Sequence, residues 1–369
     1  MAIFMDRHDV SDNVTAEDVA HLHSHDLKIQ DKFGCRGLTY WFDEKRKTAF
    51  CLIEAPNGEA IQNMHNMAHG QVPHWVIEVD PRIVESFLGR IEDPEMAQNA
   101  DLNIINDPAF RTIMVITLRG YYTKKDMSID SDTLFVNNNE TVADLVNVFK
   151  GRIVKQDTDS FLVSFESVSN AVKCALSVHS GFKELTKGTD NKNIELKIGL
   201  SAGVPVTDKN TFFEATIKSA ERMCSIMKAP VIISSEVKDL YKSENMNTFF
   251  EGDQIFAVTP MDEKFLNLLM DFTEQSWRNT ELKVEDFSKP LGISKSQLYR
   301  KMMWLFGKSP NTFIKEFRLS RALKLLTRQT ENISEVAYET GFSSPSYFSK
   351  CFQKRYDLLP SDYMLTAGE

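Results

Sequence analysis

The sequence predicts a multidomain protein of mixed class, α+β over roughly its first two thirds and all-α over the remainder. Three observations predict it. The chain has 369 residues, which at roughly 150 residues per domain makes two or three domains. Residues 1–80 carry strand and helix signals in the order β-α-β-β-α-β. From Asp262 onward the strand signal stops, and amphipathic helices follow one another, split by Gly292, Gly307, Asn332 and Gly341.

Composition narrows the class. Hydrophobic residues make up 42% and charged residues 26%, which excludes a wholly disordered, collagen-like or coiled-coil chain. No apolar run approaches the ~18 residues of a membrane span. The first thirty residues carry acids and histidines where a secretory signal would be apolar, so a cytoplasmic protein with no membrane partner is expected. Five cysteines, Cys35, Cys51, Cys174, Cys224 and Cys351, are an odd number without CxxC spacing and argue against a disulfide framework or zinc ribbon. The net charge of −9 hides an asymmetry: residues 288–369 hold 13 Lys and Arg against 7 Asp and Glu, whereas residues 1–287 hold 30 against 45. A basic end on an acidic body points to a polyanionic partner for that end.

In residues 1–80 the predicted strands are Ala2–Met5, Gly37–Phe42, Thr48–Glu54 and Trp75–Val79, with helices over Ala16–Lys32, capped by Thr15, and Gly58–Gly70. The FDEKRK turn at Phe42–Lys47 joins two alternating runs as a hairpin, giving a ferredoxin-like module. This stretch holds seven of the eight histidines. His65 and His69 are four apart on one helix face, the spacing that lets two imidazoles meet one ion. His8 and Cys51 sit on strands that the fold brings beside that helix. Imidazole with thiolate suits nickel, zinc or copper, and a hard-ion site would need more carboxylates than the pattern displays. A solvated histidine pair and a core thiol would leave the same pattern, so the structural reading stands beside the metal one. His21, His23 and His25 alternate along a helix and read as surface residues. Tyr40, Trp41, Phe42 and Trp75 read as core. The motifs IFMDRHD, LTYWFDEKRKTAFCLIEAP and MHNMAHGQVP resemble a small family of ferredoxin-like bacterial proteins, some described as nickel-binding. That resemblance implies a divalent, nickel-like ion as cofactor or effector.

Residues 81–110 read as a polar, partly helical connector. A second α/β module is expected over 111–260, with strands Thr112–Leu118, Arg152–Lys155, Ser160–Phe165, Leu196–Val204 and Val231–Ile233 and helices near Thr141–Phe149, Val168–Leu185 and Phe213–Met227. The segments TIMVITLRGYYT, KGRIVKQDTDSFLVSFESVSNAVKCALSVH, KIGLSAGVPV and FFEATIKSAERMCSIMKAPVIISSEV resemble, distantly, a class III nucleotidyl cyclase domain. In active members two aspartates hold the two ions of phosphoryl transfer. The first of these positions reads Thr117, and the second is kept as Asp159. An asparagine of the family reads Lys218, and its arginine is kept as Arg222. The resemblance therefore implies a cyclase-like scaffold without catalysis, and, because such domains pair head to tail, a homodimer. Asp157 and Glu166 are the other acids near this place and read equally as a polar turn.

Residues 262–369 contain two helix-turn-helix units: Lys283–Leu291 before Lys295–Phe306, and Ile333–Thr340 before Pro345–Arg355. In each a glycine at the bend adopts a left-handed conformation and a serine caps the next helix, leaving that helix free to enter a major groove. The helix Pro310–Leu326 would space the readers about one DNA turn, ~34 Å, apart. The stretches LGISKSQLYRKMMWLFGKSPNTFIKEFRLSRALKLL and ISEVAYETGFSSPSYFSKCFQKRYDLLPSDY resemble the DNA-binding domain of the AraC/XylS transcription regulators. By position the resemblance places base readers at Ser296, Tyr299, Arg300, Ser346 and Lys350, and phosphate or groove-edge contacts at Lys295, Gln297, Ser344 and Tyr347. Arg300 can pair bidentately with guanine, whereas Lys350 is a less directional donor. Lys301, Lys308 and Arg321 join Lys295 as expected phosphate contacts.

The expected protein is not an enzyme. It is a DNA-binding transcription regulator whose N-terminal modules sense a metal or small-molecule effector, dimerise, or both, with operator DNA as partner. The rivals are a cyclase tethered to DNA and a metal-handling protein.

Overall fold

The computed structural model describes residues 1–94, 102–120, 129–187, 194–245, 255–328 and 332–366. Its first sheet holds β1 (Ala2–Asp9), β2 (Arg36–Asp43), β3 (Thr48–Ala55) and β4 (Trp75–Glu78), in the order β2-β3-β1-β4 and antiparallel throughout. Helices α1 (Ala16–Ile29) and α2 (Gly58–Ala68) complete the ferredoxin-like order. Thr15 starts α1 with a reciprocal capping box to Asp18. Helix α1 stops at Ile29, short of the expected Lys32, because the chain tightens into a 3-10 turn over Gln30–Phe33.

Both faces of this sheet are covered. Tyr40, Phe42, Ala49, Cys51 and Ile53 point toward the helices, whereas Met5, Trp41, Phe50 and Leu52 point away, into a core shared with the second module. The two runs expected to alternate are thus apolar on both faces where they cross the centre of the sheet. Two expectations change here. His23 is buried against Tyr40, with ring centroids 4.9 Å apart, and not a surface residue. Trp75 is 36% exposed, under Arg7, and not core.

The segment read as a polar connector is a wedge. Asp80 caps α3 (Pro81–Leu88), whose Val84, Phe87 and Leu88 are buried. Phe87 stacks on Phe213 at 5.0 Å. Arg111, 1% exposed, donates to the carbonyls of Phe87, Leu88, Pro108 and Phe110, so the joint satisfies its carbonyls internally.

The second sheet holds β5 (Arg111–Gly120), β6 (Arg152–Gln156), β7 (Ser160–Phe165), β8 (Ile194–Gly203), β9 (Val231–Ile233) and β10 (Ile255–Ala257), in the order β10-β9-β8-β5-β7-β6. Helices α4 (Ile129–Val148), α5 (Val168–Leu185), α6 (Glu214–Ile226) and α7 (Ser235–Glu244) accompany it. Helix α4 is longer than the expected Thr141–Phe149, and α7 and β10 carried no periodicity long enough to announce them.

The rest is helical: α8 (Pro260–Ser276), α9 (Val284–Leu291), α10 (Lys295–Phe306), α11 (Pro310–Arg328), α12 (Ile333–Glu339), α13 (Pro345–Tyr356) and α14 (Pro360–Thr366). It has two cores, bridged by α11. Phe313 and Ile314 join the first with Leu298, Met302 and Phe306, and Leu319, Ala322 and Leu326 join the second with Phe348 and Phe352. The first core also takes Met223, Met227, Ile232 and Val258 from the second module. Among the described residues no helix is long and apolar enough to cross a membrane.

Candidate DNA-reading helices and a buried histidine–carboxylate cluster

Each helix-turn-helix unit is built by local chemistry. Gly292 closes α9 at φ +64, and Ser294 caps α10 in a capping box with Gln297. Gly341 sits at φ +79, and a Cβ there would stand 2.5 Å from the Trp277 carbonyl oxygen. Only glycine fits that approach. Ser344 caps α13 by accepting the Tyr347 N–H.

Of the nine sequence-selected residues, Lys295, Ser296, Gln297, Tyr299 and Arg300 on α10 and Ser346, Tyr347 and Lys350 on α13 are exposed, while Ser344 is half-buried in its cap. The apolar rows Leu298, Met302 and Leu305, and Phe348 and Phe352, hold the opposite faces down. Several expected phosphate contacts already have partners: Lys295 pairs with Glu285 at 2.5 Å, Lys301 with Asp262 at 3.0 Å and Lys308 with Glu316 at 2.5 Å. Arg321 lies over the Phe317 ring at 5.0 Å. Gln297 carries the capping box as well as facing solvent.

In the second module the cyclase-like positions are tied into the fold. Thr117 pairs with Ser160 across β5 and β7 and lies 3.4 Å from the Cys224 sulfur. Arg222, 5% exposed, reaches Asn267, Asp271 and Glu274 on α8 at 2.9, 2.5 and 3.3 Å. Lys218 reaches the same two acids at 3.6 and 3.8 Å. Burial alone would raise the Asp271 carboxyl, but Arg222 and Lys218 outweigh it and hold it below the ordinary carboxylate range. Asp157 pairs with Lys155 and Glu166 approaches Arg111. The metal-type groupings found among the described residues both lie in the first module.

There β1 and β3 place Asp6, His8 and Cys51 on the helix-facing side of the sheet, and α1 and α2 bring Asp26, His65 and His69 against them. His65 is the hinge: Nε2 donates to Asp6 Oδ2 at 2.9 Å, and Nδ1 lies 3.1 Å from Asp26 Oδ1. His69 Nε2 stands 3.1 Å from the same oxygen, and His8 Nε2 3.5 Å from Asp6 Oδ1. The Cys51 amide donates to Asp6. Burial would raise Asp6, but His8 and His65 hold it far below the carboxylate range, and Asp26 is lowered by His65 and His69. Burial opposes charge on His65, yet Asp26 and Asp6 win and push it up to about 10. Burial, Asp6 and Asp26 keep the Cys51 thiol protonated.

The expected ligands fall into two neighbouring groups, His8 and Cys51 with Asp6, and His65 and His69 with Asp26, so two carboxylates that sequence reasoning missed join them. The expectation that acids are scarce here is corrected. The missed signal was the alternation in IFMDRHD, which puts Asp6 and His8 on one face. The fit to an ion rests on His8 Nε2, buried without an aligned hydrogen bond and 3.5 Å from Asp6 Oδ1, whereas Asp26 Oδ1 has the His65 and His69 nitrogens at 3.1 Å. Nitrogen, oxygen and sulfur donors together fit a borderline divalent transition metal.

Comparison with known proteins agrees at both ends of the chain. Residues 287–365 match the family model described as a helix-turn-helix domain. Residues 4–79 match that of the nickel responsive protein SCO4226-like. Histidine kinase P4 of Formosa agariphila is 41% identical over 107 residues, 29% of this chain and 8% of that protein. The uncharacterized HTH-type transcriptional regulator YdeC of Bacillus subtilis is 31% identical over 83 residues, 22% of this chain and 28% of that protein. The adenylate/guanylate cyclase/hydrolase of Silicibacter pomeroyi is a solved structure with 21% identity and a TM-score of 0.32, over 38% of this chain and 84% of that one. The chain thus spans less than a third of the length of these two curated relatives. Residues 287–365 are therefore similar to AraC-type helix-turn-helix domains, and residues 4–79 to the SCO4226-like nickel-responsive family.

Proposed function

We propose that the chain is a sequence-specific, DNA-binding transcription regulator that acts as a homodimer. In this reading the first module binds a divalent transition metal of the nickel class as effector, and the cyclase-like module is a non-catalytic scaffold. One observation carries it: two capped helices, α10 and α13, present exposed polar rows from a single rigid frame built on α11. That is the form in which one chain reads adjacent major grooves.

Residues of the chain divide the work. Arg300, Tyr299 and Ser296 on α10, with Ser346 and Lys350 on α13, would face base edges. Lys295, Gln297, Ser344 and Tyr347 would meet the backbone or groove edge, where Lys295 must exchange Glu285 for phosphate. His8, Cys51, His65 and His69 would hold the ion, joined by Asp6 and Asp26. The ion supplies a positive charge in a buried, acid-rich cluster. It regulates only if it binds two arrangements of the protein unequally.

The cyclase reading has Thr117 against it, and Arg222 is committed to α8. The test is selection of DNA from a random pool by full-length protein, with and without Ni²⁺. An enriched motif whose affinity changes with the ion supports the proposal. Cyclic nucleotide formed from ATP or GTP with Mn²⁺ would refute the non-catalytic part.

A further inference from the structure

Resting on the DNA-reading role proposed above, we infer that Phe87 and Phe213 are positioning residues for α10 and act on it through α6. One end of α6 lies in the core that the first module shares with the second. The other lies in the core that the second module shares with the first helix-turn-helix unit. Its 13 residues make a rod of about 20 Å between them.

The N-terminal end of the rod is held under strain. Phe213, its N-cap, has a left-handed φ of +54 and is 1% exposed. A bulky side chain rarely takes that conformation, which persists only where the surroundings impose it. Here the surroundings are aromatic: Phe87 of α3 stacks on Phe213 at 5.0 Å and meets Phe212 edge-on at 5.6 Å. The first module backs that group. Met5, Trp41 and Phe50 lie in the same core, and Arg7 donates to the Val206 carbonyl at 3.2 Å.

Little along the helix can absorb a displacement. A Cβ at Gly199 would collide with the Ala220 carbonyl oxygen, and one at Gly203 with the Thr216 hydroxyl. At these two places α6 rests on β8 with no side chain of that strand between them. At the far end Met223 and Met227 pack in one core with Leu305 and Phe306, and the Lys228 amide donates to the Leu305 carbonyl at 3.2 Å. A shift of the Phe87 wedge therefore arrives at the last turn of α10.

The experiment reads two quantities on full-length protein: affinity for DNA that the parent selects from a random pool, and hydrogen–deuterium exchange at the Lys228 amide. Phe87→Ala is expected to weaken binding about fivefold and to speed exchange at Lys228 by a similar factor. Ile61→Ala is the comparator, because Ile61 is also buried but belongs to the first module's other core, which does not include α6. It should alter neither quantity. Phe87→Leu, which refills most of the space, should restore most of the binding. Far-UV circular dichroism checks folding. If Phe87→Ala is unfolded, Phe213→Gly takes its place with the same losses expected, since it removes the ring and relieves the left-handed strain. Equal effects of Phe87→Ala and Ile61→Ala would reduce the result to general destabilisation and overturn the inference. Weaker binding with unchanged exchange at Lys228, or no change in either quantity, would overturn it too. Failure of the parent to select any DNA would instead refute the reading on which the inference rests.

Discussion

The Lys228 amide donates a 3.2 Å hydrogen bond to the Leu305 carbonyl. The last turn of α10 is therefore closed by a loop of the second module. Lys197 holds that loop in turn, its Nζ donating to the Lys228 and Ala229 carbonyls, and Trp304 meets Phe256 edge-on at 5.5 Å. Helix α10 is thus positioned by the second module as well as by its own unit.

The contact between α6 and α8 should carry measurable stability. Arg222 is buried, but Asp271 and Glu274 are partly exposed, so solvent screens part of the interaction. Arg222→Ala is expected to cost roughly 1–2 kcal/mol, less than the ~3–5 of breaking a fully buried pair. Urea denaturation of full-length protein followed by tryptophan fluorescence checks this, and an unchanged midpoint would mean that the shared apolar core alone holds the modules together.

The same contact sets a pH dependence. Asp271 is held below its ordinary value in the folded protein, so its contribution is present above the unfolded carboxylate value, ~3.9, and is lost as pH falls through the lower folded value. Stability should decline below about pH 4, and Asp271→Asn should flatten that part of the profile. An identical slope in the variant would assign the acid sensitivity to other carboxylates.

The two turn glycines should respond unequally to alanine. Gly292 has a left-handed φ and open space around its missing Cβ, whereas Gly341 has a left-handed φ and the Trp277 carbonyl at 2.5 Å. Gly292→Ala is expected to cost about 1 kcal/mol and Gly341→Ala clearly more, through both strain and collision. Thermal melts of the two variants rank them, and equal shifts would contradict the crowding at Gly341.

Much of this was legible in the sequence where local rules decide. The Thr15 cap, the hairpin at Phe42–Lys47 and the glycine–serine grammar before α10 and α13 each depend on a few neighbouring residues. What escaped depends on distant partners. Asp6 and Asp26 drew no assignment, because the histidines they meet lie on other elements. His23 reads as surface until Tyr40 reaches it. Lys218 and Arg222 look like remnants of a catalytic pattern until α8 supplies Asp271 and Glu274. The wedge at Phe87 was hidden because its partner Phe213 lies far along the chain, and Arg111 shows its role only through the carbonyls it gathers.

Base discrimination by Arg300 is the most specific expectation for the reading helices. Its exposed guanidinium on α10 should contribute about 1–3 kcal/mol at a single base pair. Binding of full-length protein to DNA selected from a random pool, compared between parent and Arg300→Ala across a salt series, tests the central claim most directly. The account predicts an enriched motif, affinity that falls steeply with salt, and loss of preference at one position in the variant. Failure to enrich any sequence at low salt, or a motif untouched by Arg300→Ala and by Lys350→Ala, would contradict it.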